Sequence, residues 1–261
     1  MGKSILKKCS GFMLMLLWLT PGIVHGTTAG QFRSNEDSSN IKSFFLQVQQ
    51  AYEKAAYLGF RVKYLYTNAG NGERPMDSIS GNMEMDKGRC RFVLAGNETL
   101  ATGKYLIQVS EEERTIYLSG KKQQGSINPV ELLDSTFQQM KDLHGTVSVE
   151  GQLKVLVLDF PPGKQYTQIR MEIDRSTGYF RRIIYSLHTA GLVEQEMIGT
   201  PGHPAPYRSE GHVDMLFYDY QLGKFGDNVF DEGNFFTRVG NKFQAAGQYR
   251  DYHIYLANSN L

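Results

Sequence analysis

Hydrophobic and polar positions alternate along residues 79–119, and the rest of the chain is interpreted around this stretch. Successive side chains of a β-strand point to opposite faces, so the alternation predicts strands with one apolar and one mostly polar face. Turn residues divide the stretch into about four short strands of an antiparallel sheet. The alternating apolar residues are Met83, Met85, Cys90, Phe92, Leu94, Tyr105, Ile107 and Val109.

Two segments show a helical period instead. Apolar residues recur every three or four positions in 41–57, which predicts an amphipathic helix. Ser39 or Asn40 can cap its start, and Gly59 can end it. Residues 129–141 carry a second apolar stripe and begin with a proline, which the first helical turn tolerates.

Further alternating segments extend the sheet. They predict strands at 61–67, 146–150, 153–160, 168–174, 180–188, 192–198, 212–220 and 252–256, with a helical turn at 230–236. About ten strands and two helices without βαβ alternation predict a mainly β (α+β) fold. Its form is a strongly curved antiparallel sheet or open barrel, whose apolar face the amphipathic helices must cover.

The N-terminus has the pattern of a secretory signal peptide over residues 1–26. Lysines come first, a short apolar run follows at 12–19, and a glycine stands at position 26. The run is too short for a permanent membrane anchor, which is the alternative interpretation. Residues 27–38 are polar and predict a flexible leader. Since no later segment is apolar over a membrane-spanning length, no transmembrane segment is expected in the mature chain.

Charge and cysteine content narrow the function classes. Removing residues 1–26 leaves 25 basic and 27 acidic side chains, so nothing in the balance predicts nucleic acid as a partner. Of two cysteines only Cys90 would remain, which excludes an intrachain disulfide. Its position on an apolar strand face predicts a small buried hydrophobe rather than a reactive thiol.

The sequence gives little indication of catalysis. Its histidines form no HExxH pattern, and no CxxC, GxSxG or phosphate-binding glycine loop occurs. His203 and His212 flank a proline-rich loop and are interpreted as surface residues. We therefore predict a protein that is not an enzyme, with no catalytic residues, no metal and no cofactor.

Four short segments occur in a recognisable order: SGNMEM at 80–85, ATGKYL at 101–106, MEIDRSTGYFR at 171–181 and FYDY at 217–220. In this order they resemble the LolA-like periplasmic carriers of outer-membrane lipoproteins and their relatives LolB and RseB. The resemblance covers about residues 41–236. In the turn where these carriers place arginine before proline, this chain has Lys87 and Gly88, which argues against the lipoprotein handover that the arginine helps to govern.

The resemblance implies an incomplete β-barrel whose concave apolar face is closed by helices and shields acyl chains. It implies a protein secreted across the inner membrane into the periplasm, where it acts as a carrier or chaperone in transport. The implied partners are a lipid or acylated lipoprotein and, as a further expectation, envelope membrane proteins. The expected layout is a signal peptide (1–26), a leader (27–38), a LolA-like half-barrel (39–236) and a C-terminal extension that could hold a last strand (237–261).

The expected acyl cavity lies between the first helix and the apolar strand faces. Its ligand-binding residues are Phe44, Phe45 and Val48 on the helical lid, and Val62, Tyr64, Tyr66, Met83, Met85, Phe92, Ile107, Met171 and Phe217 on the sheet. Periodicity does not distinguish an open cavity from a filled core. The alternative is therefore a structural or protein-interaction module of the cell envelope with a filled core, and a third hypothesis is an enzyme on the same scaffold.

Overall fold

A computed structural model describes residues 35–70, 74–120, 144–193, 197–199, 206–226, 228–240 and 242–257. Among them lie the helix α1 (Asn35–Lys54) and fourteen strands. The strands are β1 (Tyr57–Asn68), β2 (Asp77–Asp86), β3 (Arg89–Leu94), β4 (Asn97–Ala101), β5 (Tyr105–Ser110), β6 (Thr115–Gly120), β7 (His144–Glu150), β8 (Leu153–Asp159), β9 (Tyr166–Asp174), β10 (Phe180–His188), β11 (Glu210–Gln221), β12 (Phe236–Val239), β13 (Lys242–Ala245) and β14 (His253–Leu256). The predicted signal peptide and the predicted helix at 129–141 lie outside the described residues. None of the helices in the described ranges is long and apolar enough to cross a membrane.

Twelve strands form one sheet in the order β14-β6-β5-β4-β3-β2-β1-β11-β10-β9-β8-β7, while β12 and β13 pair separately. The pairs from β2 to β6 and from β7 to β11 are antiparallel. β14 runs parallel to β6. The two edge strands, β14 and β7, are not hydrogen-bonded neighbours, so the sheet is not closed. The predicted mainly β fold with an open antiparallel sheet is confirmed, with β14 as a parallel exception.

The first helix is shifted relative to its prediction at 41–57. It begins at Asn35, so Ser39 and Asn40 lie within it, because a cap preference is weak compared with continuation of a helix whose apolar stripe is buried. Gly59 does not end the helix but lies in β1. A Cβ atom there would stand 3.1 Å from the Phe225 ring, so the glycine permits close packing in the sheet.

Residues 79–119 contain five strands rather than the four that were predicted. The strand that the sequence missed is β4, whose NETLA pattern places Glu98 at a buried position. A carboxylate is unfavourable at a buried strand position unless it has hydrogen-bond partners, and the sequence alone does not reveal them. In the structure, Arg91 and Tyr249 both donate hydrogen bonds to Glu98.

The strands predicted between residues 146 and 188, at 212–220 and at 252–256 are confirmed as β7–β11 and β14. The helical turn predicted at 230–236 is confirmed as a short 3₁₀ turn at Glu232–Asn234. The strand predicted at 192–198 is wrong in its described part. Only Ile198 pairs there, through an isolated bridge to Tyr207, because the chain after β10 first turns through Thr189–Gly191.

The turn between β2 and β3 has a backbone conformation that does not accommodate proline. Lys87 and Gly88 have φ angles of 44° and 85°, the left-handed values that a two-residue hairpin turn of this kind requires. Proline is fixed near a φ of about −65° and cannot occupy either position.

The chain divides into two compact units, and each is described by itself. The first unit comprises Met1–Lys54, Lys63–Ile79 and Pro129–Tyr218, and the second comprises Ala55–Val62, Ser80–Asn128 and Asp219–Leu261.

In the first unit, α1 packs against one face of β7–β10. A Cβ on Gly145 would lie within 3 Å of side-chain atoms of both Ile41 and Leu158. Lys154 of β8 lies 6.0 Å from the ring centre of Phe44, and Tyr52 contacts Phe180 of β10. These contacts place the buried stripe of α1 over an apolar strand face, as expected for an amphipathic helix.

In the second unit, both faces of β3–β6 are partly buried. On one face Met83 pairs with Phe92, which pairs with Thr99. The other face carries Leu100, Ile107 and neighbouring residues. They form a core with Phe230, Phe235, Phe236 and Tyr249 from the C-terminal part of the chain. The sequence predicted a mostly polar second face because the residues that cover it lie more than 100 positions away.

Asp174 begins the turn between β9 and β10 and gives a pH-dependent prediction. Its Oδ1 accepts from the backbone N–H groups of Ser176 (3.0 Å) and Thr177 (3.1 Å), while Arg181 binds Oδ2. These bonds, led by that of the Ser176 hydroxyl, lower the Asp174 pKa to about 2. Because the folded-state pKa lies below the unfolded value, the stabilisation is complete above about pH 4 and is lost as the pH falls toward 2.

Asp174→Asn is therefore expected to cost about 1 kcal/mol at neutral pH, a value reduced for solvent screening at this partly exposed turn. Urea denaturation of both proteins at several pH values measures the difference. The gap should narrow below about pH 4, and a gap that is constant down to pH 2 would contradict the assignment.

Candidate functional site

The first unit brings together seven of the predicted acyl-binding residues. Phe44, Phe45 and Val48 are buried on α1. The strand residues among the seven are Tyr64, Tyr66, Met171 and Phe217, which are also buried.

Strand register places Met171 on the face that α1 covers. It lies opposite Leu156 of β8 and Ile183 of β10. Leu156 shares its strand face with Lys154 and Leu158, both of which approach α1.

Phe217 and the tyrosines of β1 belong to the same face. The Phe217 ring lies 5.6 Å from that of Phe180, which contacts α1. Tyr66 lies over Gly211 of β11, where a Cβ would stand 2.5 Å from the Tyr66 hydroxyl oxygen. Tyr64 precedes Tyr66 by two positions and therefore points to the same side of β1.

The other five predicted residues lie in the second unit. Val62 shares its side of β1 with the two tyrosines, and Met83, Met85 and Phe92 share one face of β2 and β3. Ile107 is wrongly grouped with them. It pairs with Leu100, which pairs with Arg91, on the opposite face. Alternation within β5 shows which of its residues share a side. It does not show which face of the sheet that side belongs to, because this depends on the register through β4, the strand that was not predicted.

Coverage of the apolar face in the first unit is uneven. Met171 and Leu156 have no exposed surface, so the face is filled around them. Tyr185 and Met215 are only half-buried, although register places both on this face. They lie on neighbouring strands, opposite Val213 and Ile183 respectively.

Two other tyrosines, Tyr64 and Tyr166, lie near Tyr185. The Tyr185 ring lies 5.7 Å from that of Tyr166, which also contacts Phe160. Burial raises the pKa of Tyr185 to about 12, and it raises the pKa of Tyr64 and Tyr166 as well. These hydroxyls therefore stay protonated at neutral pH and can donate hydrogen bonds. The predicted ligand-binding residues do not include Tyr166, Tyr185 or Met215, although alternation groups Tyr185 with Ile183 within 180–188 and Met215 with Phe217 within 212–220.

Side chains near the end of β1 bond to described residues that follow β10. The Tyr66 hydroxyl lies 3.0 Å from the Thr189 hydroxyl, and Thr189 is fully buried. Asn68 donates to the Pro206 carbonyl (3.1 Å) and accepts from the Arg208 N–H (3.0 Å). Thr189, Pro206 and Arg208 are thus held beside the tyrosines of β1.

A serine and a histidine meet on the opposite face of β10 and β11. The Ser186 hydroxyl lies 3.1 Å from Nδ1 of His212, its cross-strand partner. Asp214 follows on the same face, but Arg182 donates to both of its carboxylate oxygens, at 2.8 and 2.6 Å. Since Asp214 is held by Arg182, it does not orient His212 as the acid of a catalytic triad does.

Cys90 is buried, as predicted, and its Sγ lies 3.0 Å from Sδ of Met83. Burial raises its pKa to about 12, so the thiol is protonated at neutral pH. Within the described ranges, no group of three histidine, cysteine, aspartate or glutamate side chains is arranged to hold a metal ion.

The fold of this chain is similar to those of several solved structures. No family model and no curated protein matches the chain. An uncharacterised conserved protein of Thermus thermophilus is 10% identical over 83% of this chain and 98% of its own, with a TM-score of 0.46. A LolA superfamily protein of Nitrosomonas europaea is 10% identical over 73% of this chain and 97% of its own, with a TM-score of 0.34. Lipoprotein LppX of Mycobacterium tuberculosis is 11% identical over 73% of this chain and 100% of its own, also with a TM-score of 0.34.

The resemblance to LolA-like proteins that the sequence predicted is confirmed among these solved structures as a similarity of fold, at low sequence identity.

Proposed function

We propose that this protein is a periplasmic carrier that holds an acyl chain of a lipid or lipoprotein against the tyrosine-lined face of its first unit, without catalysis. Phe44, Phe45 and Val48 of α1 form the lid. The floor consists of Tyr64, Tyr66, Met171 and Phe217, extended by Tyr166, Tyr185 and Met215.

The environment of Tyr185 supports this proposal most directly. Its side chain is only half-buried, although it lies on the same face as Met171 and Leu156, which have no exposed surface. Accessible side-chain surface on an otherwise buried apolar face is what an acyl chain would contact. Met215, which is also half-buried, extends that surface along β11.

The chemistry of this surface suits an acyl chain with a carbonyl or carboxyl head. Each methylene that leaves water contributes about 0.8 kcal/mol, so an apolar surface suffices to hold the chain. Met215 can adapt its side chain to an irregular ligand. The protonated hydroxyls of Tyr64 and Tyr185 are suited to donate hydrogen bonds to the ligand's oxygen atoms.

A protein-interaction module with a filled core is the second candidate. The complete burial of Phe44, Val48, Leu156 and Met171 favours it, because these side chains leave no space at the centre of the face. The two candidates therefore differ in what occupies the surroundings of Tyr185 and Met215.

Substitution of Met215 by tryptophan tests the carrier proposal. The larger side chain should occupy the space that the acyl chain needs, and loss of two buried methylenes alone weakens binding about tenfold. Leu216→Trp is the matched control, because Leu216 is also half-buried and points to the opposite face of β11. Binding is measured by titration with a fluorescent long-chain fatty acid.

The carrier proposal expects at least tenfold weaker binding for Met215→Trp and unchanged binding for Leu216→Trp. Equal affinities in all three proteins, or no uptake by the unmodified protein, would favour the filled-core module.

A further inference from the structure

A pocket of about 340 Å³ lies in the second unit, a size typical of small-molecule sites. β3 and β4 contribute Arg91 and Glu98, and the C-terminal part of the chain contributes the rest of the wall. The polar side chains around it are those of Arg91, Glu98, Asn228, Asn234, Gln248 and Tyr249.

Glu98 is the best fixed of these groups. Its side chain is only 8% exposed, and its oxygens accept from Nε of Arg91 (2.5 Å) and from the hydroxyl of Tyr249 (2.6 Å). One charged and one neutral donor therefore hold the carboxylate in one orientation. Each of its oxygens keeps a further lone pair with which to accept a bond from a ligand.

The ionised side chains around Glu98 have a net negative charge. Arg91 also binds Glu84, with Nη1 and Oε2 separated by 2.8 Å. Among the described residues of this network, one guanidinium thus faces two carboxylates. Arg91 and Glu98 line the pocket, whereas Glu84 does not; its charge nevertheless offsets that of Arg91, so the three side chains together carry one negative charge, which favours a cation beside Glu98.

The neutral groups of the wall add a further acceptor. Asn234 donates its amide N–H to the backbone carbonyl of Asn228 (2.8 Å), which leaves its own amide oxygen as an acceptor. Tyr249 donates to Glu98, and its hydroxyl oxygen already accepts a hydrogen bond from the Gln248 side chain, so it is not a free acceptor. A ligand with several N–H donors matches this arrangement.

We propose that this pocket binds a small organic cation through a primary ammonium group, with Glu98 as the main acceptor. The ammonium group supplies three N–H donors and one positive charge. Val229 and Phe235 form apolar parts of the wall and suit a short aliphatic body. This site is independent of the acyl-binding face proposed in the first unit.

Gln248 allows a test from the exposed side of the pocket, where its side chain is hydrogen-bonded to Tyr249 and where two substitutions of opposite charge can be compared. It lines the pocket and is exposed, so its substitution should leave the fold intact. Gln248→Glu adds a negative charge and should tighten ammonium binding about two- to fivefold, whereas Gln248→Arg should weaken it by a similar factor or more. Gln244→Glu and Gln244→Arg are matched controls at an exposed position outside the pocket wall.

The probes are ethanolamine and putrescine, with ethylene glycol and acetate as the neutral and anionic comparisons. Isothermal titration gives affinities, and NMR shifts of the Gly247 and Gln248 amides locate the binding. The proposal expects ammonium compounds alone to shift these amides, with opposite effects of the two Gln248 variants and no effect of the Gln244 variants. Added salt should weaken binding by screening.

Preference for acetate, equal binding of ethylene glycol, or indifference to the charge at position 248 would each overturn the proposal. Absence of any shift with both amines would overturn it as well.

Discussion

Replacing Met171 with aspartate is expected to lower the free energy of unfolding by about 4 kcal/mol or more. Met171 has no exposed surface and lies between Leu156 and Ile183 on neighbouring strands. A carboxyl group there either becomes charged without solvation or remains neutral without hydrogen-bond partners, and both states are costly.

Met171→Leu is the control for this prediction. It keeps the volume and apolar character of the side chain, so it should cost less than about 1.5 kcal/mol. Urea denaturation of the two variants measures the difference. Equal midpoints would mean that water reaches position 171 and that the centre of the face is not filled.

The second large effect is expected for Arg91→Leu. This change removes a partner of Glu98, whose carboxylate is almost completely buried, and breaks the bond to Glu84. An uncompensated buried charge typically costs about 3–5 kcal/mol. Tyr249 remains as a donor to Glu98 but supplies no positive charge.

The double variant Arg91→Leu, Glu98→Leu isolates the cause. If the cost of the single change comes from the stranded carboxylate, removing that carboxylate should restore much of the lost stability. Thermal unfolding of the single and double variants measures the coupling. The Glu98→Leu single variant is measured as well. If the cost of the double variant equals the sum of the two single costs, the two side chains act independently and the explanation is wrong.

The sequence predicted most strands because their apolar residues alternate with a period of two, a local property. The bounds of β7–β11 follow from it closely. It missed β4 because the burial of Glu98 depends on Tyr249, 151 residues away. The second core was not predicted for a similar reason. Phe230, Phe235 and Phe236, which cover the face that carries Ile107, lie more than 100 positions later in the sequence.

Part of the candidate site was also predictable from local periodicity. Periodicity within α1 identifies Phe44, Phe45 and Val48 as one stripe, and burial agrees. Alternation does not reveal how far a face is covered. Complete burial of Met171 and half-burial of Tyr185 and Met215 arise from contacts among separate strands, which no local pattern contains.

The Lys87–Gly88 turn limits how far carrier chemistry can be transferred to this chain. Its left-handed backbone excludes the proline of the carriers at either position. The proposal therefore concerns the holding of an acyl chain and does not include the handover step that the arginine of the LolA-like carriers helps to govern.

Native mass spectrometry with lipid extraction tests the central proposal most directly. The protein is purified without detergent, and its mass is recorded before and after incubation with a long-chain fatty acid and with an acylated peptide. The carrier proposal predicts a co-purified lipid or stoichiometric uptake of an acyl compound, which Met215→Trp reduces and Leu216→Trp does not. A ligand-free mass with no uptake of either compound would contradict it.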